Sequence, residues 1–237
     1  MMKTLALNPD LDLVAYADAY AKDGRVRITG LLDEDSAEAL YYGLKQRGDW
    51  WHLTNTAEGV IKTRVSEREL MKRKARARLD KQAFERARHE FQYRYESLHV
   101  PTDASPEERD ADVLGRFAAL MASDAMRAAL RTITTVSIPV FSDGHATAYG
   151  PGDFLTVHDD NVPGKNRVAA YVYGLTPLWR PEWGGVLFFH GKGDASVSGL
   201  VPRFNTLDLF AVPQRHSVSV VTPSAPDRRY AITGWLS

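Results

Sequence analysis

Phe154-Leu155-Thr156-Val157-His158-Asp159-Asp160 is the stretch from which the rest of this chain is best read. Phe154–His158 has the composition of a short strand, bounded by the turn signals Pro151-Gly152 and Pro163-Gly164. On an extended strand, residues i and i+2 point to the same face, so His158 and Asp160 can share one metal ion. Asp159 then points the other way, as a turn or outer-sphere group. His216, far downstream, can add a second imidazole. Two imidazoles and one carboxylate make the facial triad that leaves coordination positions open on non-haem iron(II). His-x-Asp alone arises often by chance, and its weight here comes from the conjunction. His216 falls on a later strand, and Arg229 opens the last one. Guanidinium is permanently charged and planar, a fork suited to an anionic carboxylate.

Outward from that stretch, Ala146–Tyr149, Val168–Leu175, Gly185–His190, Leu207–Val212, His216–Val221 and Tyr230–Leu236 read as further short strands. Gly184-Gly185 and the stretch Pro223–Pro226 supply turns between them. Such spacing predicts a sandwich or jelly roll. Before residue 132, helical signals dominate. Asn8-Pro9-Asp10 opens a helix ended by Gly24, and Arg25–Thr29 is a short strand. Asp35 or Ser36 caps a second helix with Ala37, Leu40 and Leu44 on one face. Trp50–Asn55 reads as a strand. Ser66-x-x-Glu69 is a capping-box pattern opening a long helical segment to about residue 97. Ser105-Pro106-Glu107 starts another helix with Val113, Phe117 and Leu120 as its stripe, and a short one runs from Ser123 to Arg131.

The expected fold is therefore α+β with a mainly β core. One domain spans 1–237: residues 1–131 are mainly helical, and 132–237 form the barrel on which those helices pack.

Composition sets limits on function. The chain has 237 residues with 44% apolar and 25% charged content, ordinary for a globular protein. Lys+Arg and Asp+Glu are equal at 30 each, so no global field recruits nucleic acid or an anionic membrane. There is no cysteine, which excludes disulfides, thiolate metal sites and cysteine nucleophiles. The start MMKTLALNPDLDLV has no apolar core of signal-peptide length, and no run approaches a membrane span. A cytoplasmic location and no membrane partner are expected. Residues 62–88 hold eleven Lys/Arg against Glu67, Glu69, Asp80 and Glu85, a net of +7. The expectation is a solvated helix face with Phe84, Ala87 and Phe91 turned inward, which leaves a nucleic-acid or acidic partner open.

Residues 145–237 resemble the catalytic core of the 2-oxoglutarate/iron(II) dioxygenases, in the prolyl-hydroxylase branch. The stretch FLTVHDDNVPGKNRVAAYVYGLTP, followed by WGGVLFF, is similar to the ribosomal-protein prolyl hydroxylases, and the ending RRYAITGWLS to those and the hypoxia-factor enzymes. The resemblance implies a double-stranded β-helix, of jelly-roll or cupin-like form. The ribosomal enzymes carry a second barrel after the catalytic one, and none is expected here.

The resemblance also implies the cofactors and the site. Fe(II) would be held by His158, Asp160 and His216, with 2-oxoglutarate as cosubstrate, O2 as oxidant and ascorbate as a stimulant. Arg229 would pair with the distal carboxylate of 2-oxoglutarate, and is preferred to Arg228 because it shares strand parity with Ala231, Thr233 and Trp235. Thr233 would add a hydrogen bond. Tyr149 and Tyr173 (in preference to Tyr171) would approach the cosubstrate, and Leu187 and Val218 would form its apolar wall; for each of these, plain core packing is the alternative.

The implied reaction is hydroxylation of a prolyl residue in a protein or peptide, with succinate and CO2 released. Free proline or another small amino-acid-like metabolite is the alternative substrate. A metal or 2-oxoglutarate sensor on the same barrel is the non-enzyme alternative. Related halogenases lack the carboxylate, so Asp160 favours hydroxylation. A nucleic-acid demethylase of this chemistry would carry an arginine where Trp235 stands. His52, His89, His99, His145 and His190 are expected to be surface or satisfied structural groups. Trp179 and Trp183 lie in a connection at the substrate entrance or packed over the barrel mouth.

Overall fold

Short polar side chains set the helix starts. Asp12 Oδ1 accepts from Ala15 N, Asp33 Oδ1 from Ser36 N and Ser123 Oγ from Met126 N, while Ser105 and Glu108 complete a capping box. The helices are α1 Leu13–Asp23, α2 Glu34–Lys45, α3 Val65–Leu70, α4 Arg73–Arg86, α5 Pro106–Ala111, α6 Val113–Met121 and α7 Asp124–Thr134. The strands are β1 Arg25–Thr29, β2 Trp51–Thr56, β3 Gly59–Arg64, β4 Tyr93–His99, β5 Phe141–Tyr149 and β6 Phe154–His158. They continue with β7 Ala169–Leu175, β8 Leu187–His190, β9 Val197–Leu200, β10 Phe204–Ala211, β11 His216–Val218 and β12 Arg229–Leu236. This computed structural model describes residues 4–102, 105–137 and 141–237; the first three residues of the amino-terminal stretch lie outside them.

The strands pair antiparallel in the order β1-β10-β7-β12-β5-β4-β6-β11-β8-β9, with β2 and β3 added beside β4. The sheet curls at β4, whose Tyr93 and Arg94 pair with Leu155 and Phe154 of β6 while its later residues pair with β5. This is a double-stranded β-helix. The wall β6-β11-β8-β9 faces the longer wall across a barrel interior.

Strand alternation divides the apolar residues between two cores. Tyr230, Ile232 and Leu236 of β12, with Tyr171, Tyr173 and Leu175 of β7, turn outward to meet Leu40 and Leu44 of α2, Phe117 of α6 and Met126 and Ile133 of α7. Each such side chain, fully buried, contributes about 2 kcal/mol as an upper bound. Ala231, Ala170 and Val172 face the interior with Leu187, Phe189, Phe210 and Val218.

The long helix expected to about residue 97 is instead two helices and a strand. Arg64 stands at the start of α3 without a side-chain capping bond, and Ser66 lies inside the helix. Chain direction changes after α4, and β4 follows with alternating burial at Arg94 and Glu96. Of the expected inward stripe, Phe84 and Phe91 remain partly exposed and Ala83 is the buried residue. Phe84 still stacks on Phe154 at 5.2 Å. β3 and β9 were not anticipated, so the amino-terminal part supplies four strands as well as its helices. The first helix is capped by Asp12 rather than opening at Asn8, whose side chain binds Gly30 O and Asp10 N. Asp33, not Asp35 or Ser36, caps α2. No helix among the described residues is long and apolar enough to cross a membrane.

Candidate active site

His158 is the last residue of β6, and His216, the first of β11, pairs with it directly across the ladder. Their rings are 4.1 Å apart. Each Nδ1 faces a backbone carbonyl, Thr156 O at 3.0 Å and Gln214 O at 2.7 Å. A carbonyl only accepts, so both Nδ1 atoms carry the proton and both Nε2 lone pairs are free.

Those lone pairs converge on Asp160: His158 Nε2 is 3.5 Å from Oδ1, and His216 Nε2 is 3.3 Å from Oδ2. Atoms sharing an ion at about 2.1 Å each, at right angles, would lie roughly 3 Å apart. The donor set therefore fits a divalent metal, and its ligand atoms all lie within 4.8 Å of one another. Burial first, then the neighbouring His158, lowers His216 to about 4, so its imidazole is neutral at physiological pH.

Asp160 arrives by a different route from the one strand alternation implies. β6 has already ended, and Asp160 takes a left-handed φ of 62° that turns its carboxylate back to the histidines. Aspartate tolerates this region better than most residues. Asp159 accepts from Asn161 N and shapes the turn, as expected.

The triad opens into a cavity of about 210 Å³ inside the barrel. Arg229, 3% exposed, stands in its wall. Its Nε has no hydrogen-bond partner, and among the described residues no carboxylate lies within ion-pair distance. Its guanidinium carbon is 5.2 Å from the Tyr149 ring centre. Burial lowers its affinity for the proton. An enclosed cation without a direct ion pair is costly, so an incoming carboxylate finds a site already arranged for it. Arg228 points to the opposite side, where its Nε meets Glu96 Oε2 at 3.0 Å.

Tyr149 stacks on Tyr95 at 5.0 Å, and burial pushes its phenol well above the usual range, so it remains a hydrogen-bond donor. Leu187 and Val218 are buried partners across the β8–β11 ladder and line the cavity. Thr233 also lines it, with Oγ1 3.4 Å from His145 O.

Tyr173 does not line it. Alternation turns this residue to the helix side, where its ring stacks on Phe117 and its hydroxyl donates to Asn205 Oδ1 at 2.8 Å. Tyr171 shares that parity, but it lines the cavity, with its buried hydroxyl against Gly234.

Two residues lining the cavity, Phe91 and Tyr95, and one beside the triad, Arg167, are not picked out by the sequence reading. Arg167 places its guanidinium carbon 3.6 Å from the Trp235 ring centre and Nη1 4.0 Å from Asp160 Oδ1. Phe91 tilts against His158 at 5.5 Å, and Tyr95 backs Tyr149. Phe91 and Tyr95 belong to the segment read as helix, whose basic run hid the alternation. Trp179 donates to Gly184 O at 2.8 Å and meets Trp183 edge-on, so this pair packs as well as facing solvent.

The two glycines before β8 are sterically required. A Cβ at Gly184 would fall 1.9 Å from Val220 O, and one at Gly185 would fall 3.0 Å from Arg229 Cδ, both at positive φ.

The segment carrying these residues matches a family model from residue 144 to residue 237, described as the 2OG-Fe(II) oxygenase superfamily. Over these residues the chain is similar to the 2OG-Fe(II) oxygenases. The whole triad and Arg229 fall inside this oxygenase segment, and the family takes Fe(II) and 2-oxoglutarate with O2.

The chain is also 35% identical over 114 residues to prolyl 3-hydroxylase OGFOD1 of Xenopus laevis. That match covers 45% of this chain but only 22% of the frog protein's length. Among solved structures, a Pseudomonas putida prolyl-4-hydroxylase superposes with TM-score 0.59 at 19% identity, covering 94% of this chain and 97% of that one. A Trichoplax adhaerens prolyl hydroxylase, in complex with a hypoxia inducible factor peptide fragment, gives TM-score 0.62 at 18% identity over 95% and 87%. At these identities the structural likeness establishes the fold.

Proposed function

We propose that this chain is an Fe(II)- and 2-oxoglutarate-dependent dioxygenase that hydroxylates a prolyl residue in a protein or peptide. On this reading it acts in the cytoplasm as a single 1–237 domain, with ascorbate as a stimulating reductant. The observation that carries it is the pairing, in one cavity, of a two-histidine, one-carboxylate cluster with a buried guanidinium that has no carboxylate within ion-pair distance among the described residues.

Each residue has a defined task. His158, Asp160 and His216 would hold Fe(II) through Nε2, a carboxylate oxygen and Nε2. The bound metal, with 2-oxoglutarate and O2, supplies the oxidising power that puts hydroxyl on a C–H bond, with succinate and CO2 released. Arg229 fixes the far carboxylate of the cosubstrate by charge-assisted hydrogen bonds, with Tyr149 and Thr233 as further donors. Leu187, Val218 and Phe210 keep water from the cosubstrate's methylene chain. Trp235, held flat by Arg167, borders the place the substrate must occupy. The prolyl substrate is supported by the prolyl-hydroxylase names of the frog relative and of the two structural neighbours.

The test is to incubate the protein with Fe(II), 2-oxoglutarate, air and either proline-containing peptides or free proline, and to follow added oxygen by mass spectrometry. Oxygen on a peptide prolyl residue, absent without 2-oxoglutarate, is the expected result. Modification of free proline alone would move the substrate to small amino-acid-like metabolites. Oxygen on neither, with 2-oxoglutarate still turned over, would overturn the prolyl assignment.

A further inference from the structure

His99 and His145 are expected from the sequence as surface or satisfied structural groups, and His99 is exposed. They are direct partners across the β4–β5 ladder, with ring centres 5.7 Å apart. Asp143 lies two residues before His145 on the same face of extended β5, and its Oδ1 is 3.8 Å from His145 Nε2. We propose that His99, Asp143 and His145 form a second site for a divalent transition-metal ion of the class that prefers imidazole, such as Zn²⁺, Co²⁺ or Ni²⁺.

The donor set repeats that of the first cluster, two imidazoles and one carboxylate, without sharing a residue with it. One ligand atom from each of the three lies within 4.8 Å of the others, as at His158, Asp160 and His216. Imidazole and carboxylate together suit these ions, and two histidines fixed opposite each other on a ladder lose little freedom on binding. Both strands are held in the main sheet, so the cluster is a rigid feature of the barrel rim.

His99 is exposed, while the side chains of His145 and Asp143 are 36% and 35% exposed, leaving an open face for solvent water on the ion. The Asp143 carboxylate also receives Gly144 N–H at 2.9 Å, which fixes its orientation. Lys62 and Arg167 are the cations facing His145, and both oppose a bound dication. Arg167 is already engaged by Trp235 and Asp160.

His145 also lines the first cavity and meets Trp235 edge-on, with ring centres 6.4 Å apart. A second ion would therefore place positive charge at the cavity mouth.

The experiment is equilibrium dialysis of the whole chain against Co²⁺, with bound metal counted by mass spectrometry. Wild type should hold two equivalents. His158→Ala/His216→Ala should hold one, and adding His99→Ala/His145→Ala to that variant should leave none. Retention of the last equivalent in the quadruple variant, or its absence from the double variant, would overturn the proposal. Should a variant fail to fold, wild-type crystals soaked in Zn²⁺ decide the matter. An anomalous peak between His99 and His145 supports the site, and a peak at the first cluster alone refutes it. This outcome is independent of whether the first cluster performs the proposed reaction.

Discussion

Arg229 and Tyr149 face each other as direct partners across the β12–β5 ladder, with the guanidinium carbon 5.2 Å from the ring centre. The aromatic face and, at longer range, the Asp208 carboxylate partly compensate a cation that has no ion pair among the described residues. Replacing Arg229 with Met should have two opposite effects. The apo-protein should gain stability, by about 1–3 kcal/mol, because a desolvated charge is gone. Affinity for 2-oxoglutarate should fall at least about 100-fold with the loss of the charged fork. Thermal melts and calorimetric titration measure both; a variant that is less stable and binds normally would remove Arg229 from the site.

Asp160 separates metal affinity from backbone strain. Asp160→Asn keeps a residue that tolerates φ 62°, so it should retain the wild-type melting point while losing Fe(II). Asp160→Val should lose both, with roughly 1–2 kcal/mol of stability gone because a β-branched residue resists the left-handed region. Equal stability of the two variants would show that the strain argument is wrong.

Gly184→Ala is expected to be severe. The added methyl meets Val220 O at 1.9 Å, so β8 must move, and with it Leu187 and the approach to Arg229. A loss of about 3 kcal/mol and weakened cosubstrate binding should follow. A neutral substitution would mean that the turn can rearrange freely.

Glu96 makes stability depend on pH. Burial, opposed by Arg228, pushes its carboxyl up to about 7, so the folded state binds this proton more tightly than the unfolded chain. Its contribution is full at acid pH and is lost as pH rises from about 5 towards 7. Relative to Glu96→Gln, wild type should lose roughly 1 kcal/mol per pH unit across that window. Denaturant titrations of both proteins at several pH values check this, and a constant difference would contradict it.

The legible part of the fold was the part with period-two alternation. The parity of β12 correctly set Arg229 inside and Arg228 outside, because alternation on a long, well-paired strand admits little freedom. β4 was illegible because a capping-box pattern and a run of basic residues precede it and mimic one long helix. Its misreading hid Phe91 and Tyr95 from the cavity and separated His99 from His145. The convergence of His158 and Asp160 was anticipated for the wrong reason, since the carboxylate turns inward through a left-handed residue after the strand has ended. Tyr173 shows the reverse failure: a polar aromatic near the site in sequence was assigned to it, although the parity of β7 places it in the helix-side core.

The most direct test of the cluster and of Arg229 together is an anaerobic titration of metal-free protein with Fe(II) and 2-oxoglutarate, followed by visible absorbance. A charge-transfer band is expected in wild type and in neither His158→Ala nor His216→Ala, and in Arg229→Met only at much higher 2-oxoglutarate. A folded wild-type protein that gives no band, or a His158→Ala variant that gives the same band, would contradict the assignment of this cavity as an iron and 2-oxoglutarate site.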